Sequence, residues 1–169
     1  MISPRILKIL TILLLVTANI GCDQVSKSII RQTVGFNDNI QLLNHHITVS
    51  NVENPGAFLS MGDGLPASVR GIALAFLPLL GLIIVLIYLL TRRRISSGVL
   101  TGLCFIVGGG IGNIFDRIAH GSVTDFLHIQ FGIFQTGIFN MADVSITVGA
   151  GILLVHNLFG KSPASVPLT

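Results

Sequence analysis

Apolar residues gather into four long runs, separated by stretches dense in glycine, proline, asparagine and aspartate. The clearest run, Ile72 to Leu90, contains no charged residue and stops at Thr91, Arg92, Arg93 and Arg94. Crossing a hydrocarbon core of about 30 Å takes about 20 helical residues. The pattern therefore predicts four spanning helices, at about residues 6–30, 70–91, 96–116 and 142–159. The first changes character along its length: apolar from Ile9 to Val16, it then carries Asn19, Asp23, Lys27 and Arg31 at every fourth position. At helical spacing these four form one stripe, facing either a bundle interior or a solvated helix end, with Asp23 and Lys27 set as an i, i+4 ion pair.

Two segments, about 32–67 and 117–141, hold too many turn formers to span. In the first, Ile47, Val49 and Asn51 alternate with Thr48, Ser50 and Val52; in the second, Leu127, Ile129, Phe131 and Ile133 alternate with His128, Gln130 and Gly132. Alternation of this period marks strands. The expected fold class is membrane α-helical: four transmembrane helices with a small extracytoplasmic β-sheet, one domain over 1–160, and a disordered cytoplasmic tail over 161–169.

Composition supports lipid as the solvent, with 51% hydrophobic and 10% charged residues and a mean hydropathy of +0.83. The net charge of +3 does not point to nucleic acid, because the basic residues are not gathered on a soluble surface and few aromatics accompany them. Instead they orient the chain. Arg5, Lys8, Arg92 to Arg94 and Lys161 share one side, which is then cytoplasmic, with both termini. All seven acidic residues lie at or beyond the opposite, periplasmic boundary, so carboxylate chemistry is expected there. Cys22 and Cys104 fall in apolar segments, which argues against a disulfide framework and a four-ligand zinc site.

Asp116, Asp125 and Asp143 stand at similar depth, because the third span travels outward and the fourth returns. Ionisable groups near hydrocarbon are costly, so function is their first reading and a structural ion pair the second. Two adjacent carboxylates share a proton, and the pair offers a base for water and an acid for a leaving amine. Other protease chemistries lack their motifs: there is no G-x-S-x-G or H-E-x-x-H, and Ser26 beside Lys27 on one helix points elsewhere. His45, His46, His120 and His128 lack a metal-ligand spacing. The glycines from Gly108 to Gly112 sit in a hydrophobic span with no strand before them, and so read as helix packing rather than a phosphate loop. The small faces expected to meet carry Gly109, Gly112, Asn113 and Asp116 on the third span, and Asp143, Thr147, Ala150 and Gly151 on the fourth.

Five motifs occur in order: Asp23-Gln24-Val25-Ser26-Lys27, Asn54-Pro55-Gly56-Ala57-Phe58, Gly112-Asn113-Ile114-Phe115-Asp116-Arg117, Val123-Thr124-Asp125-Phe126 and Phe139-Asn140-Met141-Ala142-Asp143. Together they resemble the lipoprotein signal peptidases, the type II signal peptidases, over about residues 23–149. The resemblance implies an aspartic endopeptidase of the bacterial inner membrane, monomeric and without cofactor or metal. Its catalytic pair would be Asp125 and Asp143, and its supporting or substrate-binding residues Asp23, Lys27, Asn54, Gly56, Asn113, Asp116, Arg117 and Asn140. Arg117, next to Asp116, is expected to hold that carboxylate ionised and so outside the dyad. The chain departs from the family pattern at Thr124, where a second valine is usual, and at Ala57, an extra small residue before the phenylalanine. The implied partners are membrane lipid and diacylglyceryl-modified prolipoproteins, cut on the amino side of the lipidated cysteine.

Two other readings compete. Asn19-Ile20-Gly21-Cys22 after a basic and apolar start suggests a lipoprotein lipidated at Cys22, but Asn19 stands where an aliphatic residue is expected and further spans follow. A small transporter or channel subunit would need polar groups along a path, whereas the second and fourth spans carry no charge through their middles.

Overall fold

The computed structural model describes residues 3–56, 66, 69 and 71–159. Ala57 and Phe58 of the second motif, and the tail expected at 161–169, lie outside them. Helix α1 (Pro4–Thr33) opens on Ser3, whose hydroxyl accepts from the Ile6 N–H at 3.3 Å, with proline at its first position. A π-helical turn (Ile72–Phe76) leads into α2 (Leu77–Thr91). Helix α3 (Ser97–His120) is capped by the Ser96 hydroxyl and ends at Gly121, whose φ of 79° is the left-handed conformation that glycine adopts without strain. Helix α4 (Met141–Phe159) completes the bundle. With its π turn counted into α2, all four helices are long and apolar enough to cross a membrane.

The alternating segments form one antiparallel sheet in the order β1 (Asn39–Leu42), β2 (Ile47–Asn54), β3 (Val123–Phe131) and β4 (Phe134–Gln135). Strand β3 begins earlier than the alternation suggested, at Val123, because its first four residues are buried on both faces and show no period of two. Between Val49 and Val52 the register with β3 slips. Ser50 and Asn51 together oppose Phe126, a bulge that bends β2 just before it pairs with Asp125. The Asn51 amide donates to the Val34 carbonyl at 2.9 Å, tying the bulge to the end of α1.

Ile12, Val16, Leu89, Cys104 and Val107 are buried together where α1, α2 and α3 meet. Elsewhere large apolar side chains face outward, as lipid requires: α2 buries only Leu89. Helices α3 and α4 make the most intimate pair, and the seam differs from the one expected. Thr147, Ala150 and Gly151 are exposed, while Ala142, Ser145 and Gly149 are buried. The seam follows those three positions, and Asp143 stands at its flank rather than on it. On α3, Gly102 and Gly109 meet α4, whereas Gly108 and Gly112 meet Asn19 and Asp23 of α1. A β-carbon at Gly149 would stand 2.6 Å from the Gly102 carbonyl oxygen. Gly149→Ala is therefore expected to cost about 1–3 kcal/mol, read as a lower unfolding midpoint in detergent; an unchanged midpoint would show that the seam is looser than drawn.

Candidate active site

Helix α4 starts with a reciprocal cap. The Asp143 N–H donates to Asn140 Oδ1 at 3.0 Å, and the Asn140 N–H donates to Asp143 Oδ2 at 3.2 Å. Asn140 and Asp143 thus occupy the places of the capping box, and a carboxylate there is favoured by the helix dipole. The residue before the cap is fixed too: Phe139 pairs with Leu127 as an antiparallel bridge, with the Phe126 and Leu127 N–H groups both donating to its carbonyl. This junction of strand and helix brings Asn140 to Asp125, and the Asn140 amide donates to Asp125 Oδ1 at 2.6 Å. One asparagine therefore bridges both acids.

Each carboxylate receives a further amide. Asn54, at the end of β2, donates to Asp125 Oδ2 at 2.8 Å, and Asn113 of α3 donates to Asp143 Oδ1 at 2.9 Å. Asp125 is 4% exposed. Burial pushes its carboxyl up to about 6; the Asn54 and Asn140 amides pull against that shift, and the charge of Asp143 adds to it. Asp143 is half-buried and lies beside a cavity of about 500 Å³ walled in part by Phe139, Val144, Thr147 and Val148.

Behind the carboxylates sits a charged cluster inside the bundle. The Lys27 ammonium donates to Asp23 Oδ2 at 2.8 Å and Asn113 Oδ1 at 3.0 Å, and stands 3.0 Å from Asp116 Oδ2. Three acceptors thus surround a group with three donors. Lys27, Asp23 and Asp116 are all 0% exposed. Asp23 also accepts from the Ala142 N–H at 2.9 Å, pinning the start of α4 to α1. The polar stripe of α1 accordingly faces the bundle interior and not a solvated end.

The expected partner of Asp116 is corrected here. Its close ion pairs are with Lys27 at 3.0 Å and Arg31 at 3.1 Å, both on α1, with the His120 ring one turn along α3 at 4.0 Å. Consecutive helical residues point about 100° apart, so Arg117 faces elsewhere: its guanidinium donates to the Gly56 carbonyl at 2.9 Å and the Asn113 carbonyl at 3.4 Å. The Gly56 N–H in turn donates to Asn54 Oδ1 at 3.0 Å, which sets the amide that meets Asp125. Every candidate residue named from the motifs joins this one network.

Several members were not singled out as site residues. The Gln24 amide donates to both Asp23, at 3.0 Å, and Asp116, at 3.1 Å. Arg31 Nε donates to the Thr124 hydroxyl at 2.7 Å, and that hydroxyl donates to Glu53 at 2.7 Å. Thr124, the departure from two valines, is thus the link between α1 and β2 beside Asp125. The signal for Gln24 and Arg31 lay in the first motif and the α1 stripe; Glu53 had none beyond its place next to Asn54.

A sequence model described as signal peptidase (SPase) II matches residues 15–159. Proteins named lipoprotein signal peptidase are similar over most of their length. That of Desulforapulum autotrophicum is 30% identical, covering 87% of this chain and 91% of its own. That of Geobacillus thermodenitrificans is 31% identical, at 89% and 91%. That of Pseudoalteromonas translucida is 33% identical, at 91% and 89%. A solved structure titled as a bacterial membrane enzyme has the same fold, with a TM-score of 0.77 at 23% identity over 93% of this chain and 94% of that one. A multi-pass bacterial membrane protein with this match over nearly all of its helices belongs to the signal peptidase II family.

Proposed function

We propose that this chain is an aspartic endopeptidase that removes signal peptides from diacylglyceryl-modified prolipoproteins, cutting on the amino side of the lipidated cysteine. The observation that carries the reading is the bridging of Asp125 and Asp143 by Asn140 at the lip of the bundle. Asp143, the less buried of the two, takes a proton from water, whose oxygen attacks the scissile carbonyl. Asp125 gives its proton to the leaving amine as the carbon–nitrogen bond breaks. The cavity beside Asp143 suits a substrate held in the membrane plane by its acyl chains. Cleavage of a purified lipidated precursor, with and without a metal chelator, tests the reading: activity that survives chelation is expected, and loss of all cleavage on chelation would overturn the aspartic mechanism.

The pH profile follows from Asp125. As pH rises through about 6, its carboxyl loses the proton that the leaving amine needs. In the free enzyme kcat/KM is then expected to fall about tenfold per pH unit above that limb. Asn54→Ala removes a donor that favours the anion, so the limb is expected to move to higher pH. A limb that stays put or moves down would count against Asp125 as the acid.

In this reading both ends of the chain are cytoplasmic and the sheet is external. With Cys22 and Cys104 replaced, a membrane-impermeant thiol reagent applied from outside is expected to label Asn39→Cys and spare Ser96→Cys. The reverse pattern would invert the topology.

A further inference from the structure

At the end of the bundle opposite the carboxylates, Arg5 and Lys8 of α1 and Arg92 and Arg93 after α2 line one cavity of about 630 Å³, with Ser3 and Leu90 in its wall. Among the described residues no carboxylate lines it, and none of these four cations takes part in an ion pair. Asp23, on the same helix as Arg5, lies roughly 27 Å further along at about 1.5 Å per residue. The Lys8 ammonium donates to the Arg92 carbonyl at 2.5 Å, which pins the two helix ends together and holds the cations on one cavity. The Arg92 guanidinium also stands 5.8 Å from the Tyr88 ring, which limits its travel.

Basic residues at helix ends orient a membrane protein wherever on that side they stand. Orientation accounts for their number, not for their convergence on a walled cavity, and Arg94 contributes to it without lining the cavity. We infer that this cavity binds the phosphodiester headgroup of an anionic membrane lipid. Arginine forks match phosphate oxygens in pairs, and basic pockets between spanning helices take such headgroups. Leu90 gives the cavity an apolar wall, for which a free phosphate has no use and the glycerol end of a lipid does. A lipid seated there would clamp the start of α1, whose far end carries Asp23, Lys27 and Arg31, to the end of α2.

The test is native mass spectrometry of the full chain from detergent, with phosphatidylglycerol titrated against phosphatidylcholine. One phosphatidylglycerol is expected to be retained in preference. Each of R5Q, R92Q and R93Q is expected to weaken retention about fivefold, while R94Q keeps it. Equal retention of phosphatidylcholine, or displacement by equimolar glycerol 3-phosphate, would overturn the inference on the wild-type protein alone. Equal losses in R94Q and R93Q would overturn it by showing diffuse attraction in place of a site.

Discussion

Asp143→Asn and Asp125→Asn are each expected to lower the single-turnover rate of precursor cleavage by about a hundredfold or more, the usual cost of losing a general base or acid. Asparagine keeps the shape of the side chain but neither accepts a proton from water nor carries one to an amine. The two variants differ in what else they disturb. At position 143 both oxygens accept from groups fixed elsewhere, the Asn140 N–H and an Asn113 amide held by Lys27. Turning one acceptor into a donor there leaves two donors facing, a loss of about 1–3 kcal/mol. At position 125 the new amide faces Asn54 and Asn140, whose own carbonyls are held by the Gly56 and Asp143 N–H groups. The rates must therefore be measured on folded protein, checked by its unfolding midpoint. Turnover near that of the wild type in either variant would remove that residue from the dyad.

The helices were legible because their signals are local, whereas the choice of Asp125 and Asp143 among three acids of similar depth rests on the motifs' resemblance to the family and not on spacing. A run without charge from Ile72 to Leu90 has few structures open to it in lipid, and a period-four stripe on α1 has one face. What could not be read was direction between neighbours. Asp116 and Arg117 adjoin in sequence, yet the helix turns them apart, and Asp116 finds its two close cations, Lys27 and Arg31, on α1. The bulge at Ser50 and Asn51 shows in the sequence only as a break in the alternation, with polar Asn51 and apolar Val52 out of phase, and nothing there reveals that it bends β2 beside Asp125. Thr124 looked like a deviation from an apolar pair. Its hydroxyl, 0% exposed, in fact needs the Arg31 and Glu53 partners that two other elements supply.

Lys27→Met should be the most destabilising single change in the bundle. Methionine fills nearly the same volume, so packing is little altered and the loss is electrostatic. Asp23 and Asp116, both fully buried, would lose the ammonium they share, leaving Asp116 with Arg31 and with the His120 ring at 4.0 Å, and Asp23 with no paired cation among the described residues. Breaking a buried pair from one side costs about 3–5 kcal/mol. Asp116→Asn is expected to be milder, because Lys27 keeps Asp23 and Asn113 as acceptors. The two variants also separate support from chemistry. Lys27 fixes the Asn113 carbonyl, and so turns the Asn113 amide toward Asp143; without the ammonium that amide is free to flip. Folded Lys27→Met, recovered at low temperature, is therefore expected to cut more slowly than folded Asp116→Asn in a single turnover. If folded Asp116→Asn is instead as inactive as Asp143→Asn while Asp125→Asn still cuts, then the acid pair is Asp116 with Asp143, and the charged cluster is itself the catalytic centre.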